Sequence, residues 1–386
     1  MTNRVRDPAI DILRGLPMIG VLYAHGLEMF IRPTGLAFDP VSLAIWQTIS
    51  SFCIVAFFFV SGLTAQNLDK QSLRKVLVSS LSLILIADII QITFAPIRIA
   101  TGLSAHEPPL LIAKHILAPL LTGAKFSTSI PWFLVALAFA RMLAWVYLRS
   151  GTKERVAIWG VTVLAFVAST SVEEPYFEAQ CWTIGLAFLL LGREAVRRNL
   201  LAFTAPRLPL MLGFVALWAL TLVLAPRNHG CLFDAVRVCS SHPEWHGQFA
   251  VELVLGRTGF LPLFVLSGLV GIAALVATAF VTRRTAIGAF FAWIGRNTVP
   301  LIMMNGIVYA GIEPMMSRAL QGGALPEAAV IALPLLLVAG QLLLLIPTSS
   351  VLLRVQQFSG WLAEILVEQT ARRLRPLRAA RSAEEG

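Results

Sequence analysis

The chain has 386 residues, 57% of them hydrophobic and 13% charged, with a mean hydropathy of +0.77 and a formal net charge of +10. A soluble domain is roughly 45–50% apolar and about 25% charged, so this composition excludes a water-soluble globule, a disordered tail and a collagen-like rod. Charges clustered between long apolar runs describe a polytopic membrane protein, on which surplus Lys and Arg mark the cytoplasmic side rather than a nucleic-acid partner.

A spanning helix needs about 20 mostly apolar residues to cross roughly 30 Å of hydrocarbon. Ten stretches are read as spans in chain order: 10–30, 42–66, 76–98, 131–149, 156–172, 180–192, 208–226, 259–281, 290–312 and 328–353, the sixth short at its polar-bounded core and expected to start a few residues earlier. The expected fold class is therefore all-α, with about ten transmembrane helices. Arg4 and Arg6 resemble the start of a signal peptide, but no small-residue cleavage site follows residue 30, so the first helix is expected to be retained. With the N-terminus inside, twenty Lys and Arg fall in cytoplasmic segments and eight in the opposite loops, which places both termini in the cytoplasm.

Residues 109–122 are apolar but too short to span, and they carry Lys114 and His115. A crossing here would put Arg193–Arg207 and the C-terminal tail outside, so a surface or re-entrant helix is expected instead. Residues 1–353 read as one membrane-embedded domain and 354–386 as a basic cytoplasmic tail. From Ala371 onward the tail is polar, and is expected to be disordered or bound to the lipid surface.

The first helix carries Asp11, Arg14, His25 and Glu28. Ionisable groups inside a span are costly and mark functional positions by default. Arg14 and His25 are eleven residues apart, about 1100° of helical rotation, so they share one face with ~16 Å between them along the axis. Asp11 lies one turn before Arg14 and Glu28 one turn after His25, making a polar seam that runs from the cytoplasmic end outward. A His with a Glu one turn away can be held in one tautomer and made more basic, as a general base for a hydroxyl requires. Snorkelling of Arg14 held by Asp11, and a merely hydrogen-bonded His25, are the plainer alternatives.

Further along, Asp88 and Arg141 both lie deep in spans, ~18 Å and ~12 Å from the inner ends, a gap that an Arg side chain can bridge. An ion pair joining neighbouring helices is expected; otherwise both line a substrate cavity. The outer loop 227–258 holds Cys231, Cys239, His229, His242 and His246. Their spacing is zinc-like, but the outer compartment favours a Cys231–Cys239 disulfide, and no metal is expected. Cys53 and Cys181 read as packing residues, Trp46, Trp132, Trp182 and Trp293 as interfacial belt residues, and His106 and His115 as ordinary loop residues.

Several segments carry a resemblance. Arg14 and His25 within DILRGLPMIGVLYAH look like the first-helix signature of the acyltransferase 3 family of integral membrane O-acyltransferases. FFFVSGLTAQ (57–66), followed by the basic turn at Arg74 and Lys75, is similar to that family's second and third helices. PWFLVALAFARML (131–143) resembles the Trp-Phe-Leu helix of its sugar O-acetylase branch, and IGRNTVPLIMMN (294–305) resembles its late Gly-Lys-Asn-Ser segment. The match runs in order over most of residues 7–350. Where relatives often carry an aromatic residue and a His, this chain has Ile302 and Asn305.

The resemblance implies transfer of an acyl group, usually acetyl from cytoplasmic acetyl-CoA, to a hydroxyl of an envelope or exported carbohydrate or lipid-linked glycan, in a bacterial inner membrane. On that reading Arg14, Arg74 and Lys75 meet the CoA phosphates at the inner face. His25, with Glu28, acts as general base or as a transient acyl carrier. Ser61, Asp88, Trp132, Arg141 and Asn305 line the substrate cavity. A transporter or channel for a glycolipid or small anion is the alternative, with Arg14, His25, Asp88 and Arg141 along its path. No second copy of the seam exists to build the paired halves typical of transporters.

Overall fold

A computed structural model describes residues 7–31, 40–101, 108–124, 126, 131–169, 176–200, 207–228, 251–320 and 325–384. These residues form twelve α-helices and one two-stranded antiparallel sheet. The helices are α1 (Pro8–Ile31), α2 (Pro40–Thr64), α3 (Leu73–Ala100), α4 (Pro109–Thr122), α5 (Trp132–Arg149) and α6 (Thr152–Ser169). They continue as α7 (Ala179–Arg197), α8 (Arg207–Leu224), α9 (Leu261–Thr282), α10 (Ala286–Arg296), α11 (Thr298–Ala319) and α12 (Glu327–Glu384). Strands β1 (Val251–Glu252) and β2 (Arg257–Thr258) pair Val251 with Thr258 and Glu252 with Arg257.

Seven of the described helices are long and apolar enough to cross a membrane, so the chain is a multi-pass membrane protein. Helices α1, α6 and α7 have 24, 18 and 19 residues, but polar and charged side chains interrupt their apolar runs. Among the described residues, each of the ten predicted stretches falls mainly on α-helix. Two differ in detail. The stretch 290–312 is broken at Asn297 into α10 and α11, where the Asn297 side chain turns back to donate to the Trp293 carbonyl. The stretch 328–353 continues as one helix through Glu384, 58 residues and ~87 Å long, several times the length of an ordinary globular helix. Its continuation packs on α3, where Ser82 and Ser359 hydrogen-bond and Arg74 pairs with Glu364 and Glu368. The helix thus runs through residue 353, the expected end of the last span, without interruption and continues past Ala371.

The helix α1 sits at the centre, packed against α2, α9, α10, α11 and α12. Glycines set the closest approaches. Gly15 on α1 faces the Phe291 carbonyl on α10, and Gly295 on α10 faces the Asp11 carbonyl. The same reciprocal arrangement joins α2 to α7, where Gly62 meets the Leu189 carbonyl and Gly192 meets the Phe59 carbonyl. Small residues let helix backbones meet where lipid supplies no hydrophobic drive between helices. Helices α6 and α8 lie at the rim, with Val161, Leu164, Leu212 and Val215 exposed.

Candidate active site

The polar seam of α1 opens at its two ends onto different surroundings. With the N- and C-terminal ends of α1 called inner and outer after the expected orientation, Arg14 at the inner end donates from Nη2 to Thr64 Oγ1 at 3.4 Å, beside the turn that joins α2 to α3. Thr64, Gln66, Asn67, Lys70 and Lys75 line an open cavity of about 700 Å³ there. Asp11 is buried and faces Arg296 at 3.8 Å. The Gly-Arg-Asn segment therefore meets α1 at the level of Arg14.

At the outer end, His25, Glu28, Trp46, Ser50, Trp132 and Glu252 line a small cavity of about 70 Å³. Each is delivered by a different route. His25 and Glu28 share a face of α1 because they are three residues apart. Trp46 and Ser50 are one turn apart on α2, and Trp132 begins α5. Glu252 arrives on β1, where it pairs with Arg257 at 3.7 Å. The hairpin that carries Glu252 is pinned from two sides. On α7, Gln180 Nε2 donates to the Val254 carbonyl at 2.6 Å and Cys181 Sγ donates to the Leu253 carbonyl at 3.0 Å. Asn228 Nδ2 donates to the Thr258 carbonyl at 2.9 Å, and the Phe260 amide donates back to Asn228 Oδ1.

The His25 ring is held on both sides. Asn305, fully buried on α11, places its amide 3.2 Å from His25 Nδ1, and Tyr309, one turn on, packs edge-on to the ring at 5.9 Å. Glu28 accepts from Trp46 Nε1 at 3.2 Å. Asn305 thus engages the imidazole on its Nδ1 side, and the way its amide is turned sets which tautomer it pairs with. An imidazole beside two buried carboxylates, with two indole faces, suits proton removal from a hydroxyl-bearing ligand.

Of the residues expected in one site, the structure brings His25, Glu28 and Trp132 to the outer cavity, with Asn305 against His25. Lys75 lines the inner cavity, and Arg14 donates to Thr64 on its wall. Arg74 points the other way and pairs with Glu364 at 3.1 Å and Glu368 at 3.6 Å on α12. Ser61 sits two turns inward of Cys53 on α2, level with Thr64, and away from the His25 cavity. Asp88 and Arg141 lie on packed neighbours α3 and α5, yet no ion pair joins them, and Arg141 Nε is buried without a partner among the described residues. The expected pair does not form because closeness in depth leaves open which way each side chain turns around its helix.

Glu252 was not legible as a site residue, although the apolar Val251, Leu253, Val254 and Leu255 before Gly256 are a strand-and-turn signal. Trp46 is not a belt residue, since it is buried and donates to Glu28. Cys181 does more than pack. Cys231, Cys239, His229, His242, His246 and His106 lie outside the described residues.

The sequence pattern of the acyltransferase domain family matches residues 7–351, nearly the whole chain. No curated protein and no solved structure matches the chain.

Proposed function

Because that match shows that the chain belongs to the acyltransferase 3 family, we propose that it is a membrane O-acyltransferase that moves an acetyl group from cytoplasmic acetyl-CoA to a carbohydrate hydroxyl on the outer side of a bacterial inner membrane. One observation carries the reading. A single helix, α1, presents Arg14 beside an open basic cavity at one end and His25 in a cavity with two carboxylates and two tryptophans at the other.

In this reading Arg14, Lys70 and Lys75 bind the CoA phosphates, for which fixed cations at the membrane surface are suited. The pantetheine arm runs outward along the seam and presents the thioester to His25. The acceptor enters from the outer side, its apolar ring face against Trp46 or Trp132 and its hydroxyls donating to Glu28 and Glu252. A volume of about 70 Å³ admits the reacting hydroxyl and the few atoms around it, so the rest of the glycan stays outside.

His25 Nε2 takes the hydroxyl proton while the oxygen attacks the thioester carbonyl. The tetrahedral intermediate collapses, the C–S bond breaks, and the imidazolium returns the proton to the CoA thiolate. An ester and free CoA are the products. The arrangement draws on proximity, since both reactants meet at one imidazole from opposite sides of the membrane.

Donor binding can be tested without knowing the acceptor. Purified protein is unfolded thermally with and without acetyl-CoA, in wild type and Arg14→Ala. A ligand bound only by the folded state at 100 times its Kd adds ~2.7 kcal/mol. A clear rise in Tm that Arg14→Ala loses is the expected result, and no rise at millimolar acetyl-CoA would contradict the reading.

A further inference from the structure

Away from the α1 seam, four arginines gather where α5, α6 and α7 meet at their cytoplasmic ends. Arg155, Arg193, Arg197 and Arg198 line a cavity of about 520 Å³, walled also by Tyr147 and Trp159. Each is held by a hydrogen bond or ion pair, Arg193 partly buried and Arg197 and Arg198 at the exposed end of α7. Arg155 donates to the carbonyls of Tyr147 at 3.1 Å and Leu148 at 3.2 Å, and its guanidinium lies over the Tyr147 ring. Arg193 pairs with Asp69 at 3.0 Å. Arg197 and Arg198 share a single carboxylate, Glu194.

Four positive charges thus meet two carboxylates, which leaves two cations unmatched within the cluster. Hydrogen bonds from Arg197 and Arg198 hold the Glu194 carboxyl down to about 2, so it is already ionised and already counted. Arg193 Nε is buried and has no partner among the described residues. Each guanidinium offers five donors, and these contacts leave several of them free for an anion.

The cavity lies at the rim of the bundle. Its α6 wall belongs to a helix whose Val156, Val161, Leu164 and Val167 face away from protein, as a lipid-facing helix does. Trp159 sits one turn from Arg155, a pairing of indole and cation suited to the headgroup level. We propose that this cavity binds the phosphate headgroup of an anionic phospholipid, with Arg155, Arg193, Arg197 and Arg198 gripping the phosphate oxygens and the acyl chains lying against α6. Asp69, the partner of Arg193, precedes Lys70 in the turn that lines the proposed donor cavity, so an occupied headgroup site would also steady that turn.

The nucleotide end of an acyl-CoA offers the same phosphate chemistry, and the experiment separates the two sources. Full-length protein in zwitterionic detergent is titrated with phosphatidylglycerol, phosphatidylcholine or adenosine 3′,5′-bisphosphate while Tm is recorded, for wild type and Arg155→Gln/Arg198→Gln. The expected result is a rise in Tm with phosphatidylglycerol, none with phosphatidylcholine, and an apparent affinity at least tenfold weaker in the double variant. Equal response to the two lipids, or unchanged affinity in the variant, would overturn the proposal. A rise produced by the bisphosphate and lost in the variant, with no response to phosphatidylglycerol, would overturn it in favour of the donor nucleotide. Should the double variant lose its cooperative transition, Arg198→Gln at the exposed helix end carries the same comparison, with a smaller expected loss.

Discussion

Asn305 is where the geometry of the outer cavity makes its sharpest demand. Its amide lies 3.2 Å from His25 Nδ1 in a fully buried position, and its Oδ1 has no partner among the described residues. A base acting through Nε2 must carry its proton on Nδ1, and that proton needs an acceptor. Turned so that Oδ1 faces His25, the Asn305 amide supplies it. Removing the amide with Asn305→Ala takes this partner away from His25 Nδ1, which costs about 1–3 kcal/mol. If the bond persists into the transition state, that loss appears in the rate at about 1.4 kcal/mol per factor of ten, or roughly fivefold to a hundredfold. Asn305→Gln, with the amide displaced by one methylene, should fall between the two. The assay is acetyl-CoA-dependent labelling of membranes, normalised to the amount of folded protein. A wild-type rate in Asn305→Ala, alongside an inactive His25→Ala, would refute the idea that Asn305 orients the base.

Other outcomes follow from the packing and the charges. Gly62→Val drives a side chain into the Leu189 carbonyl and should cost at least about 1–3 kcal/mol, whereas Gly213→Val on α8, where an added Cβ meets nothing within 4 Å, should leave Tm near wild type. A double-mutant cycle on Asp88→Asn and Arg141→Met, read by thermal unfolding, should give a coupling below about 0.5 kcal/mol, because no ion pair joins them; a coupling well above 1 kcal/mol would contradict the geometry. Glu194 is held at about 2 rather than 4.5, so its contribution to stability is fully present above 4.5 and is lost as pH falls from there toward 2. The gap in Tm between wild type and Glu194→Gln should accordingly close over that window, and a gap unchanged at pH 2 would show that the arginines are not what holds the carboxyl down.

The parts of this molecule that could be read from its sequence are those that depend on position along one helix. Arg14, His25 and Glu28 share a face because helical rotation is regular, and the structure keeps them on one seam with different surroundings at its two ends. The short segment 109–122 is a 14-residue helix for the reason its length suggested. What depends on rotation between helices was hidden. Arg74 and Lys75 are neighbours in sequence but ~100° apart around α3, so one turns to α12 and the other to the inner cavity. Asp88 and Arg141 share a depth but not a direction. Glu252 joins the cavity of His25 only because α7 and Asn228 hold a hairpin against the bundle, and no motif within 227–258 announces that placement. The reciprocal glycine contacts became meaningful only once α2 was seen against α7 and α1 against α10.

The most direct test of catalysis at His25 uses membranes that contain the protein. Incubated with acetyl-CoA radiolabelled in the acetyl group, wild-type membranes should place label in the carbohydrate-bearing envelope fraction, and membranes with equal amounts of folded His25→Ala should fall to background. Label transferred equally well by His25→Ala, or absent from wild type, would contradict acyl transfer at this histidine.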